Sequence, residues 1–77
     1  MNRRLLAYFL LDTSGSMNGE PIQALNNGFN GLISALRSDP QAMDTLYLSV
    51  TTFDREVKNI IPMVDLASFH PMEITCP

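Results

Sequence analysis

The chain has 77 residues, 45% hydrophobic and 17% charged, with a formal net charge of −3. That leaves room for one thin domain, since about 60 residues bury only ~60% of their unfolded surface on folding. The apolar content excludes disorder, the scattered basic residues form no stripe for nucleic acid, and the single cysteine, Cys76, excludes an internal disulfide and suits a reducing, cytoplasmic compartment.

The first element is Arg4 to Leu11, a continuous apolar run holding Tyr8 and Phe9. Its length and aromatics predict a strand. Arg3 and Arg4 before it give the outline of a secretion signal. The run is only as long as the shortest such signals, however, and cleavage near Ser14-Gly15-Ser16 would destroy the most informative motif in the chain. It is also far too short to span a bilayer. The run does not alternate, so both its faces are expected to be covered, as in the middle of a parallel sheet.

Asp12 to Gly19 is a loop by composition. Pro21 suits a first helical position, where its missing N–H costs nothing. From Ile22 to about Ser38 the period is helical, with Ile22, Leu25, Phe29, Leu32, Ile33 and Leu36 on one face. Ala24, Gly28, Gly31 and Ala35 make a stripe of small residues beside that face. Each glycine costs ~1 kcal/mol of helix propensity, and four small residues in line predict close packing along this flank. Asp39-Pro40 ends the helix.

Thr45 to Phe53 alternates, with Leu46, Leu48 and Val50 one way and Tyr47, Ser49 and Thr51 the other. That predicts a half-buried strand. Asp54-Arg55-Glu56 is a polar turn, and Val57 to Ile61 a short antiparallel strand that Pro62 ends. Met63 to Pro77 is expected to be loop, with one short turn around Asp65 to Phe69. The order strand, helix, strand, strand predicts an α/β fold, the first half of a doubly wound sheet with a right-handed parallel crossover. One helix cannot cover both faces of the first strand. Either a partner covers the bare face or the chain is a piece of a longer protein, and the second is the favoured expectation. A bare apolar face also predicts self-association.

Chemistry concentrates in Asp12-Thr13-Ser14-Gly15-Ser16, at the C-terminal end of the first strand, where open α/β sheets bind their ligands. One carboxylate and two hydroxyls at alternate positions are hard oxygen donors. They suit Mg²⁺ and not zinc, which prefers Cys and His. A single negative charge leaves such an ion able to accept a further carboxylate from a protein partner. A plain turn capping the helix has the same composition, but the strand before and the helix after favour the metal reading. Glu20 reads as an acid favouring the helix N-terminus. Enzyme readings lack parts. A dehalogenase-type phosphatase needs a second acid where Ser14 stands, no Gly-x-Ser-x-Gly elbow occurs, the only histidine, His70, sits in the proline-rich tail, and no Gly-Lys-Ser/Thr run is present.

The segment Leu10-Leu11-Asp12-Thr13-Ser14-Gly15-Ser16-Met17, followed by Gly19-Glu20-Pro21-Ile22 and later by Thr51-Thr52-Phe53-Asp54, resembles the DxSxS metal-ion-dependent adhesion site of von Willebrand A domains, most of all their bacterial tellurium-resistance branch. The similarity runs through essentially the whole chain. It implies a partial von Willebrand A domain over residues 1–77 with Mg²⁺ as cofactor. Ser14 and Ser16 would bind the ion through their hydroxyls, and Asp12 directly or through water. The implied role is a non-enzymatic, metal-dependent protein–protein interaction in a cytoplasmic stress or tellurite-resistance system, with a partner offering a carboxylate. The family completes its site with a Thr and a second Asp from later loops. No position here matches either, so this chain alone is expected to bind Mg²⁺ weakly or not at all. The competing expectation is a metal-free assembly piece that self-associates through its uncovered sheet.

Overall fold

The computed structural model describes residues 3–76. The elements are β1 (Leu5–Asp12), α1 (Glu20–Arg37), α2 (Pro40–Thr45), β2 (Leu46–Phe53) and β3 (Val57–Asp65), with 3₁₀ turns at Gly15–Met17 and Leu66–Ser68. The strands form one mixed sheet in the order β1-β2-β3. β1 and β2 are parallel in unbroken register from Leu5 beside Leu46 to Asp12 beside Phe53. β2 and β3 are antiparallel. This is the expected α/β succession, and among the described residues no helix is long and apolar enough to cross a membrane.

Alternation decides which face of the sheet is covered. Ala7, Phe9 and Leu11 of β1 and Leu48 and Val50 of β2 turn towards α1, which buries Phe29 and Ile33 and packs Ile22, Leu25 and Leu36 around them. Phe9 meets Phe29 edge to face, centroids 5.2 Å apart. Full burial of one such side chain contributes about 1.5–3 kcal/mol. Leu32, expected on this face, stays 44% exposed at its margin.

Gly19 begins the helix, its carbonyl accepting from the Gln23 amide. α1 starts at Glu20, two residues before the expected Ile22, so Pro21 is second in the helix. Gly19 holds φ +85°, and a Cβ there would meet no atom within 4 Å. Its requirement for glycine is therefore conformational and not steric. Gly19→Ala is expected to lower stability by about 1–3 kcal/mol, read as a lower denaturation midpoint at unchanged urea dependence. Gly15→Ala, at a glycine without positive φ and also in open space, is the control that changes little.

Several expectations need correction or extension. The small-residue stripe packs against nothing. Ala24, Gly28, Gly31 and Ala35 are exposed, and a Cβ at either glycine meets no atom within 4 Å. Asp39-Pro40 ends α1 and immediately begins α2: the Asp39 carboxylate accepts from the Gln41 amide at 2.9 Å, and Pro40 takes the first helical position.

Pro62 does not end β3, which runs on to Asp65. β3 is an edge strand, where a proline forfeits no ladder bond. The three steps from Thr51 to Leu48 on β2 span the five from Asn59 to Val64 on β3, so the strand bulges around Pro62. The Asn59 side-chain amide shares its hydrogens among Val50 O, Ile61 O, Ser49 Oγ and Thr51 Oγ1 at 3.1–3.3 Å, fastening the bulge.

The tail is the largest departure. The short turn at Leu66–Ser68 is where it was expected, capped by Asp65 accepting from the Ser68 amide. After that turn the chain is irregular, as expected, but it does not lie wholly on the surface: Leu66, Phe69 and Ile74 belong to the core. Phe69 stands edge-on to Phe29 at 6.0 Å. The Arg37 guanidinium donates to its carbonyl. Asn26 of α1 holds Ile74 by both backbone groups: its Nδ2 donates to the Ile74 carbonyl and its Oδ1 accepts from the Ile74 amide, each at 2.8 Å.

Among the described residues no element packs over the opposite face of the sheet. Leu6, Tyr8 and Leu10 are 55%, 71% and 65% exposed. On β2 the same face carries Tyr47, Ser49 and Thr51. The first strand, expected to be covered on both faces, is covered on one.

Candidate metal centre

The parallel register brings the ends of β1 and β2 together and so places the loop that follows β1. Thr13, beside Asp12, donates to the Phe53 carbonyl from its amide at 2.8 Å and its hydroxyl at 3.3 Å. It is buried at 3% exposure. These bonds pin the loop's root to the end of β2 and turn the next residues outward. Thr13 was assigned no role from sequence, yet its position at the last rung of a parallel pair makes it the anchor.

Beyond that root the chain curls back at once. The Ser14 amide donates to Asp12 Oδ1 at 2.8 Å, an Asx turn. The Met17 amide donates to the Ser14 carbonyl and the Asn18 amide to the Gly15 carbonyl, closing the 3₁₀ turn. Curling that tightly brings alternate side chains together: Ser14 Oγ and Ser16 Oγ lie 3.0 Å apart. All three predicted residues are therefore in one place, with Ser16 exposed and Asp12 and Ser14 half-buried.

The same geometry acts on charge. The Ser14 amide, and then its hydroxyl, hold the Asp12 carboxyl below its ordinary value of 3.8 by favouring the ionised form. Its folded-state pKa is thus depressed. The resulting stability is present above the unfolded value and is lost as pH falls through the folded one. Carboxyl-carbon NMR is expected to place the Asp12 midpoint below 3.8. Ser14→Ala should raise that midpoint only part of the way, because the larger cause is the backbone bond.

Beside the loop stands the turn between β2 and β3. Ser14 and Gly15 on one side and Asp54, Arg55, Glu56 and Lys58 on the other line an open cleft of about 610 Å³. The acids of this turn are already engaged. Asp54 accepts from the Glu56 amide at 2.8 Å, and Glu56 lies 3.7 Å from Lys58 in an exposed pair. No three His, Cys, Asp or Glu side chains converge among the described residues. The donor set is thus one carboxylate and two hydroxyls at an exposed bend, oxygen only. That chemistry fits a hard divalent cation held largely by water. Glu20 lies in the first turn of α1, and His70 is exposed in the tail.

No protein-family profile, no curated protein and no solved structure matches this chain.

Proposed function

We propose that this chain is a partial von Willebrand A-type domain, a cytoplasmic, non-enzymatic module that grips a protein partner through Mg²⁺ at Asp12, Ser14 and Ser16. The observation that carries the reading is the convergence of these three side chains: the two hydroxyl oxygens 3.0 Å apart, beside a carboxylate held ionised at the same bend. Bound there, Mg²⁺ would supply a positive centre with open coordination positions for a partner's carboxylate. The chain's own contribution is to hold the two hydroxyls and the carboxylate at one outward-facing bend, rooted by Thr13.

With a single carboxylate in the set, affinity for Mg²⁺ is expected to be weak, roughly millimolar. Micromolar affinity for the isolated chain would contradict this. The resemblance to the tellurium-resistance branch supports a partner within a bacterial stress system. A short peptide carrying one central Glu, compared with the same peptide carrying Gln, tests the function. The Glu peptide should raise the apparent Mg²⁺ affinity several-fold and the Gln peptide should leave it unchanged. Equal effects from both would sink the metal-bridged reading.

A further inference from the structure

We propose that the peptide joining Asn18 to Gly19 is a site of spontaneous covalent modification, at which the asparagine loses ammonia and becomes aspartate or isoaspartate. This stands on the backbone geometry and does not rest on the metal reading.

The chain holds the pair Asn-Gly at Asn18-Gly19, Asn27-Gly28 and Asn30-Gly31. In such a pair the backbone nitrogen of the glycine can attack the asparagine Cγ. A nitrogen–carbon bond forms and the Cγ–Nδ2 bond breaks. Nδ2 leaves as ammonia, taking the proton of the attacking nitrogen. Water, the only co-reactant, then opens the cyclic imide at either carbonyl. One opening gives aspartate. The other gives isoaspartate, whose main chain runs through the former side chain. Glycine in second place leaves the attacking nitrogen uncrowded and lets the backbone turn to meet Cγ.

All three pairs are exposed, so access to water does not distinguish them. Backbone bonding does. Asn27-Gly28 and Asn30-Gly31 lie inside α1. There the attacking N–H is already given to the carbonyl four residues back, and the dihedrals beside it are held at helical values. Closing the ring at either pair breaks the local helix. Asn18 lies ahead of the helix, at φ −59° and ψ 147°. The Gly19 carbonyl accepts from the Gln23 amide, but among the described residues the Gly19 N–H donates to no acceptor. A Cβ at Gly19 would meet no atom within 4 Å, so the imide has room to form.

The product alters the junction between the bend and α1. Either form adds one negative charge to a net −3. The charge falls two residues after Ser16, at the helix end that favours an anion. Isoaspartate also lengthens the main chain by one carbon directly before Gly19, the residue that begins the helix.

Residue-resolved mass spectrometry of the chain, aged in mildly alkaline buffer with and without urea, tests this. In the folded chain Asn18 should convert at least roughly tenfold faster than Asn27 or Asn30, because helical amides are released only by local opening. In urea the difference should disappear. Asn18→Gln, whose ring would be one atom larger, should leave no fast site. A smaller ratio in the folded chain, a difference that persists in urea, or an Asn18 that survives while the unfolded chain converts would overturn the proposal. So would a fast site remaining in Asn18→Gln.

Discussion

Phe69→Ala is expected to remove most of the stability of this domain. The residue is 1% exposed and stands in a row of aromatic rings that joins three segments: Phe9 of β1, Phe29 of α1 and Phe69 of the tail. Truncating a buried phenylalanine costs about 3–5 kcal/mol, through lost transfer energy and the cavity left behind. Natural domains hold roughly 0.05–0.15 kcal/mol per residue, so a chain this short has little to spare. Urea unfolding followed by circular dichroism should show a greatly lowered midpoint or no folded baseline. Met72→Ala, three residues further along the tail and 50% exposed, should change stability by no more than about 0.5 kcal/mol. Equal effects at the two positions would show that the tail does not belong to the core.

The second large effect is expected at Asn26. Its side chain acts as a short piece of β-strand, offering the Ile74 backbone one acceptor and one donor, and it also donates to the Ile22 carbonyl at 3.0 Å. Asn26→Ala leaves the Ile74 amide and carbonyl without partners beside a buried side chain, at a cost of about 1–3 kcal/mol. Hydrogen exchange reads the consequence locally. Protection of the Ile74 amide should fall sharply, while that of Leu48 and Val50, at the centre of the sheet, follows global unfolding only. Asn26→Asp keeps the acceptor and loses the donor. It should therefore preserve much of the Ile74 protection and lose less stability than Asn26→Ala. Identical behaviour of the two variants would show that the paired bond is not what holds the tail.

What was legible in the sequence follows from periodicity. The helical spacing from Ile22 to Leu36 and the alternation of β2 each bury a face of their own element, as expected, with α1 starting two residues early, whereas the apolar run of β1 forms the expected strand but buries one face instead of two. The bend at Asp12-Thr13-Ser14-Gly15-Ser16 was legible for a related reason. Its turn is made by bonds between residues two or three apart, so local composition suffices to bring the oxygens together.

What was hidden depends on partners distant in the chain. Leu66, Phe69 and Ile74 show no period, and nothing near them announces that Asn26, 48 residues before Ile74, will supply the missing backbone partners. Pro62 reads locally as a strand end, and its tolerance inside β3 depends on that strand lying at an edge, which only the assembled sheet decides. The glycines of α1 misled in the other direction. A stripe of small residues admits close packing and does not require it, and this one faces open space.

The central claim is that Asp12, Ser14 and Ser16 together present oxygens to a hard divalent cation. Titrating the chain with Mg²⁺ while following its amide resonances tests it directly. Saturable shifts are expected, confined to residues 12–17 and the neighbouring turn at 54–56, with a midpoint roughly in the millimolar range. They should vanish in a Ser14→Ala, Ser16→Ala double variant whose other resonances are unmoved. Shifts that are spread over the acidic surface, or that survive intact in the double variant, would contradict the account.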